Sequence, residues 1–371
     1  MKFCNLPFKA DRSDYQNVVD TIVQYAKRNR SILSVYLMGG EWYPGISDLD
    51  IVLVYKDENE PLDFPKKNDK TEKIFTHRCL SFHKDDFKNF FFFYPTSNIR
   101  LLFGEDLNPI NLKEKYSNKE YKMLLALNLI DYLIHKMAIL PFKYKGSKNF
   151  DVRQRIAELK SLSYDFEIIE YLGFEHSHKD FLDKIKELRL NWFNLNRNLE
   201  ILKELSQETE SVIFNLLELI SDYLYRQDLF QIEFNDCKFV NRDFKIKFIK
   251  NYEFSTFKRN KIGLRLPIIK GGRINLNFPA SSSILFFIWK SNKNTNFSKL
   301  INNRFSGVVS GKQLTSNFID DYTNAKNLIF DRFVKTNGFY RAPFLLGFSG
   351  FDLKHNKLSL IISLILSILR Q

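Results

Sequence analysis

Residues 34–55 read SVYLMGGEWYPGISDLDIVLVY, and this stretch decides the fold of the chain. It contains two apolar runs, Val35 to Met38 and Ile51 to Val54, separated by a glycine-containing turn. Short, partly β-branched apolar runs bounded by turn signals predict buried strands. The sequence therefore predicts two strands with polar residues at their junction.

Two aspartates stand at the start of the second strand. Asp48 and Asp50 are two residues apart, so their side chains project from one face, while Leu49 and Ile51 point into a core. Two neighbouring carboxylates repel each other, and we expect them to share a cation. Oxygen ligands suit Mg²⁺, or Mn²⁺, which also binds substrate phosphates.

The turn supplies a second element of this predicted site. Gly39 and Gly40 lack Cβ atoms, so the backbone there can approach a ligand closely. We expect a phosphate to lie against their amides, with help from the hydroxyl of Ser47.

The order of strand, G-G, seven residues, and D-L-D on the next strand resembles the signature of the DNA polymerase β-like nucleotidyltransferase superfamily. That superfamily includes the small-molecule nucleotidyltransferases that modify antibiotics. The resemblance covers Tyr15 to Leu107. It implies a catalytic metal at Asp48 and Asp50 and an NTP as co-substrate. A β-hairpin with a solvated acidic turn is the alternative.

The predicted third strand, Lys73 to His83, departs from the family pattern. Active members usually place a third carboxylate there, opposite the D-x-D pair, to help hold the metal and to act as general base. Residues 77–83 contain no acidic residue. His77 or His83 is a possible base, because the pKa of histidine lies near neutrality. The nearest carboxylates are those of Glu72, Asp85 and Asp86.

Two functions are consistent with these residues. One is transfer of a nucleoside monophosphate from an NTP to a hydroxyl of a small molecule, a glycan precursor or another acceptor, with release of pyrophosphate. The other is a nucleotidyltransferase fold with a degraded site that binds nucleotide or nucleic acid in a regulatory or assembly role.

The net charge of +13 is concentrated near the C-terminus. Residues 236–371 hold 23 Lys plus Arg against 7 Asp plus Glu, and no acidic residue lies between Glu253 and Asp320. Such a field attracts anions, so we expect an anionic acceptor such as nucleic acid or a phosphorylated glycan. A membrane surface is the less favoured partner, and a solvated basic surface with no specific partner is the alternative.

The hydrophobic periodicity predicts an α+β chain of three domains. A nucleotidyltransferase-like domain with a small mixed sheet occupies residues 1–115, a helical bundle residues 116–235, and a basic module of antiparallel strands plus helices residues 236–371. A capped helix precedes the first strand. The bundle helices are predicted from Lys119 and over Val152–Leu172, Phe181–Leu205 and Val212–Phe230.

The cysteines and apolar runs favour a cytoplasmic location. Cys4, Cys79 and Cys237 form no C-x-x-C pair, which favours a reducing compartment. No apolar run reaches the roughly 20 residues that span a bilayer. We expect the apolar segment Leu358 to Leu369 to be a buried helix, with a subunit or membrane interface as the alternative.

Overall fold

The computed structural model describes residues 2–40, 42–56, 73–74, 79–144, 149–227, 230–231, 238–240, 244–249, 274–279, 312–313, 317–325 and 328. Within these residues a mixed sheet is combined with several helices, which confirms the predicted α+β class. The three predicted domains stay a prediction.

The chain divides into two compact units. The first comprises Met1–Lys115, Lys148–Glu167 and Glu175–Thr209, and the second comprises Tyr116–Ser147, Ile168–Phe174 and Glu210–Gln371. The strands up to residue 151 are β1 (Lys2–Cys4), β2 (Ile32–Met38), β3 (Asp50–Tyr55), β4 (Leu80–His83), β5 (Ile99–Gly104) and β6 (Asn149–Asp151). The helices up to residue 226 are α1 (Arg12–Arg28), α2 (Lys84–Phe87), α3 (Leu112–Lys115), α4 (Asn118–Tyr144), α5 (Val152–Tyr171), α6 (Lys179–Asn191) and α7 (Asn198–Arg226).

A four-stranded sheet in the order β4-β3-β2-β5 forms the centre of the first unit. The β2–β3 and β2–β5 pairs are antiparallel, whereas β3 and β4 run parallel. The two strands predicted from the opening stretch are thus neighbours, with Met38 paired to Asp50 at the end nearest the turn.

One face of this sheet packs on α1. The helix begins after Asp11, whose backbone N–H donates to a carboxylate oxygen of Asp14 at 3.2 Å, as expected of a capped N-terminus. Its apolar stripe joins alternate residues of the strands in one buried cluster. The members from α1, β2 and the β3 region include Tyr15, Val18, Val19, Ile22, Ala26, Val35, Leu37, Leu49, Ile51 and Leu53.

Aromatic rings cover the other face. The ring of Tyr36 on β2 stacks on that of Phe87 with centroids 4.8 Å apart, and Phe87 contacts Phe90 at 5.6 Å. Phe90 and Phe92 are fully buried, so these phenylalanines belong to a core. The central strands β2 and β3 are therefore buried on both sides.

The third strand is shorter than the sequence predicts. Only Leu80–His83 pairs with β3, whereas Lys73 and Ile74 are helical, so the predicted strand start is wrong. The carbonyls of Lys73 and Ile74 accept hydrogen bonds from the guanidinium of Arg153. Those acceptors are therefore engaged by a side chain and not by a neighbouring strand.

The helical segments also divide differently. The predicted helix Phe181–Leu205 is wrong, because α6 ends at Asn191 and α7 begins at Asn198. The amide of Asn198 donates to the carbonyl of Trp192 at 3.0 Å and stabilises the turn between them. Ser206 does not break α7, because its hydroxyl donates to the carbonyl of Leu202 one turn earlier.

The second unit contains α4 and short strands of the basic region. Met123, Leu124, Leu127, Ile130 and Leu133 of α4 are buried, which confirms this part of the predicted apolar stripe. The later strands are β7 (Phe230–Gln231), β8 (Lys238–Val240), β9 (Phe244–Ile249), β10 (Ile274–Pro279) and β11 (Lys312–Gln313), and a helix, α8, spans residues 317–325.

The predicted antiparallel character of the basic region holds only in part. β8 and β9 are antiparallel, but β10 pairs with β9 in parallel. Residues 250–273 connect them, which is long enough for the crossover that a parallel pair needs. The sequence also predicts strands over residues 252–257, 263–269 and 284–289 and a glycine turn at 270–272, and these, like the apolar segment 358–369, lie outside the described residues. In the part of the chain that is described, no helix has the length and apolar character needed to cross a membrane.

Gly104 closes β5 with φ +89°, and a Cβ there would lie 1.8 Å from the carbonyl oxygen of Leu33. Gly39 has a similar φ of +94°, but a Cβ there would meet nothing within 4 Å. Both Gly→Ala changes carry the cost of a left-handed backbone, about 1–2 kcal/mol. We expect Gly104→Ala to lose roughly a further 1–3 kcal/mol through overpacking. Urea unfolding of both variants measures the difference, and equal losses would contradict the close approach at Gly104.

Candidate active site

The acidic pair lies at one end of the central sheet. Leu49 and Ile51 are fully buried in the core beneath α1, while Asp48 and Asp50 are only half-buried. This alternation agrees with the prediction that the two carboxylates share the opposite face.

The glycine turn lies at the same end. Because Met38 pairs with Asp50, Gly39 follows directly beside the acidic pair. The N–H of Gly39 donates to the carbonyl of Asn98 at 2.9 Å, so this amide is already engaged in the fold. Gly39 and Gly40 are both exposed, and a Cβ added to either would meet nothing within 4 Å. The backbone here is open to close approach.

Ser47 is held by the turn that precedes the aspartates. Its hydroxyl oxygen accepts a hydrogen bond from the backbone N–H of Tyr43 at 2.9 Å, and its own N–H donates to the carbonyl of Tyr43 at 2.8 Å. Its carbonyl accepts from the hydroxyl of Tyr15 at 2.6 Å. Ser47 therefore fixes the turn that leads into the aspartates.

Two cations from the helices lie close enough to act on the acidic pair. Lys160 of α5 interacts electrostatically with Asp50 and Asp48, and its ammonium lies 3.6 Å from the centroid of the Tyr164 ring. Arg189 of α6 also interacts electrostatically with Asp48.

The guanidinium of Arg189 is placed by the turn itself. It lies over the ring of Tyr43, 4.5 Å from the centroid, and its Nη2 is 3.4 Å from the hydroxyl oxygen of Ser47. Lys160 and Arg189 are not among the site residues that the sequence predicts. Each lies more than a hundred residues from Asp50, and no local pattern distinguishes them from other basic residues on their helices.

Burial changes the proton affinity of these cations. Burial lowers the pKa of Lys160 to about 8, the charge of Arg189 lowers it as well, and Asp50 and Asp48 act in the opposite direction. Burial likewise lowers the pKa of Arg189, against the effects of Tyr43 and Asp48. The site thus combines two carboxylates with two partly desolvated cations.

The structure does not bring His83 to this site. His83 is paired with Tyr55 at the far end of β3, five residues from Asp50, which corresponds to about 16 Å along the strand. It is also buried, with 1% of its surface exposed. His77, the other predicted base, lies outside the described residues.

Asp48 and Asp50 suit a metal ion that is bound by protein and substrate together better than one that is held by protein side chains alone. Among the described residues, no three His, Cys, Asp or Glu side chains form a group that could hold a metal. Mg²⁺, however, commonly takes one or two carboxylates and completes its shell with water and substrate phosphate. Asp48 and Asp50 match that donor set.

We predict that Lys160 loses its proton as the pH rises through about 8, well below the ordinary lysine value of 10.5. Asp50→Asn should lower this pKa further, because the Asp50 carboxylate favours the protonated ammonium. An NMR titration of the Lys160 ε-methylene measures both values. Asp20→Asn, a change on the exposed side of α1, is the control and should leave the titration unchanged. An unaltered midpoint in Asp50→Asn would contradict the proximity of the two groups.

No protein-family model, curated protein or solved structure matches this chain.

Proposed function

We propose that the chain is a metal-dependent nucleotidyltransferase that transfers a nucleoside monophosphate from an NTP to an acceptor hydroxyl and releases pyrophosphate. The supporting observation is the combination of Asp48 and Asp50 with Lys160 and Arg189 at the open glycine turn. Lys160 and Arg189 thus add two positive charges to the G-G and D-L-D motif that resembles the nucleotidyltransferase signature.

The mixture of charges suits a metal-bound triphosphate. A site with cations alone would bind any anion, and carboxylates alone would repel a nucleotide. Here Asp48 and Asp50 would hold Mg²⁺ or Mn²⁺, which when bound neutralises charge on the phosphates. Lys160 and Arg189 would bind phosphate oxygens, and their partial burial strengthens such contacts.

The turn would bring the phosphates close. Gly39 and Gly40 leave room for a phosphate against the backbone, and the Ser47 hydroxyl can donate to it. Because Arg189 contacts both Tyr43 and Ser47, a phosphate bound there would be held by the turn and by α6 together.

For the acceptor we propose a chemical class and not a particular molecule. A hydroxyl of a small molecule or glycan precursor agrees with the helical segment that follows the sheet, which resembles the acceptor-binding part of small-molecule nucleotidyltransferases. The basic composition of residues 236–371 favours an acceptor that carries negative charge, such as nucleic acid or a phosphorylated glycan.

The position of His83 favours a second candidate function. Since this predicted base is buried at the far end of β3, His83 is not placed to deprotonate an acceptor at Asp50. A protein that binds nucleotide without turnover, in a regulatory or assembly role, would need only the carboxylates, the cations and the glycine turn.

The two functions differ in whether labelled product forms. We expect the protein, incubated with each radiolabelled NTP, Mg²⁺ or Mn²⁺ and a cell extract, to yield a labelled acceptor. Asp50→Asn should lower the yield by about 100-fold or more, because one carboxylate of the metal pair is lost. Asp20→Asn is the matched control. Nucleotide binding without product, across all NTPs and both metals, would support the non-catalytic function.

Lys160→Met should weaken NTP binding by about ten- to a hundredfold, since a charge-assisted contact to phosphate contributes roughly 1.5–3 kcal/mol. Isothermal titration calorimetry with Mg²⁺ present measures the Kd. Lys27→Met, at an exposed position in the last turn of α1, about 18 Å along the helix from Tyr15 at the Ser47 carbonyl, removes the same charge away from the acidic pair and should leave the Kd unchanged. Equal weakening in both variants would indicate a general charge effect and not a site contact.

A further inference from the structure

Arg153 is a buried arginine near the start of α5, with 1% of its surface exposed. Its guanidinium donates to three main-chain carbonyls: Nη2 to Ser47 at 3.0 Å and to Ile74 at 3.3 Å, and Nη1 to Lys73. Burying a charge is costly unless it is well hydrogen-bonded. Packing alone therefore does not explain why a guanidinium is buried here.

The carbonyl of Ser47 belongs to the peptide that directly precedes Asp48. It accepts from Arg153 and also from the hydroxyl of Tyr15 at 2.6 Å, which fills both of its lone pairs. Tyr15 is fully buried, and its hydroxyl oxygen in turn accepts from the N–H of Gly45 at 3.0 Å. The plane of the Ser47–Asp48 peptide is thus fixed from two sides.

The other arm of Arg153 reaches the segment that leads toward β4. Ile74 is fully buried in the core beneath α1, and its carbonyl and that of Lys73 are both bound by the same guanidinium. The ring of Phe8 covers the guanidinium, with its centroid 5.1 Å from Cζ. Arg153 therefore joins the start of the acidic strand to a segment more than twenty residues later.

We infer that Arg153 is a positioning residue for the acidic pair: by holding the Ser47 carbonyl, it fixes the direction in which Asp48 and Asp50 leave the turn. Arg153 interacts electrostatically with Asp48, and its hydrogen bond to the Ser47 carbonyl holds the backbone that leads into both aspartates. This inference rests on the proposed function only as to which reaction Asp48 and Asp50 take part in. The positioning role of Arg153 does not depend on that reaction.

The test compares Arg153→Lys with Arg155→Lys. Arg155 is also buried on α5, with 3% of its surface exposed, but it binds the hydroxyl and carbonyl of Ser206 on α7, at 2.9 and 3.1 Å. Both changes keep the charge and remove the planar fork of donors. Both should lower the melting temperature, so stability alone does not separate them.

The deciding measurement is the ¹H–¹⁵N spectrum of the folded variants without metal or nucleotide. We expect the amide resonances of Asp48 and Asp50 to move in Arg153→Lys and to stay at the wild-type positions in Arg155→Lys. Unmoved resonances in a folded Arg153→Lys would overturn the inference. Tyr15→Phe removes the other bond to the Ser47 carbonyl and should move the same resonances. If Arg153→Lys does not fold, Arg153→Gln takes its place, and unmoved resonances in that folded variant overturn the inference.

A second readout connects the inference to the metal. The Kd for Mn²⁺, measured by electron paramagnetic resonance, should rise about tenfold or more in Arg153→Lys, as is typical when support of a metal ligand is removed, and stay unchanged in Arg155→Lys. A wild-type protein that binds no Mn²⁺ would count against the proposed function. The amide resonances would still decide the role of Arg153.

Discussion

The negative charge of the acidic pair, Asp48 and Asp50, must be offset by the groups that surround it. Asp48 and Asp50 alternate with Leu49 and Ile51, which are buried in the core, so the two carboxylates share the other face. Lys160 and Arg189 approach from two helices and offset that charge while losing part of their own hydration. The helical segment is therefore part of the site and not only an addition to the sheet.

Ser47 holds the backbone around the acidic pair through several hydrogen bonds. The Ser47 carbonyl receives both Tyr15 and Arg153, while the Ser47 hydroxyl receives the Tyr43 amide and lies beside Arg189. One residue thus links α1, the turn and two later helices. Such a network keeps groups in place before a ligand arrives, which is the usual requirement for electrostatic stabilisation of phosphoryl chemistry.

The sequence predicted those parts of the fold that depend on local pattern. The strands β2 and β3 and the capped helix α1 follow from apolar runs and turn signals within a few residues. Prediction failed where a long-range contact decides the local structure. Lys73 and Ile74 resemble the start of a strand, yet their carbonyls bind Arg153. Asn198, the first residue of α7, binds the carbonyl of Trp192 in the turn that separates α7 from α6, where the sequence predicts one continuous helix.

By itself, the sequence determined that Asp48 and Asp50 share a face beside a glycine turn, because the period of a strand is a property of neighbouring residues. The tertiary structure alone decided which cations meet that face, which arginine holds its backbone, and that β10 runs parallel to β9. These features join residues that are distant along the chain. A charge or a carbonyl carries no local signal of its distant partner, so only the packing of helices and strands reveals the pairing.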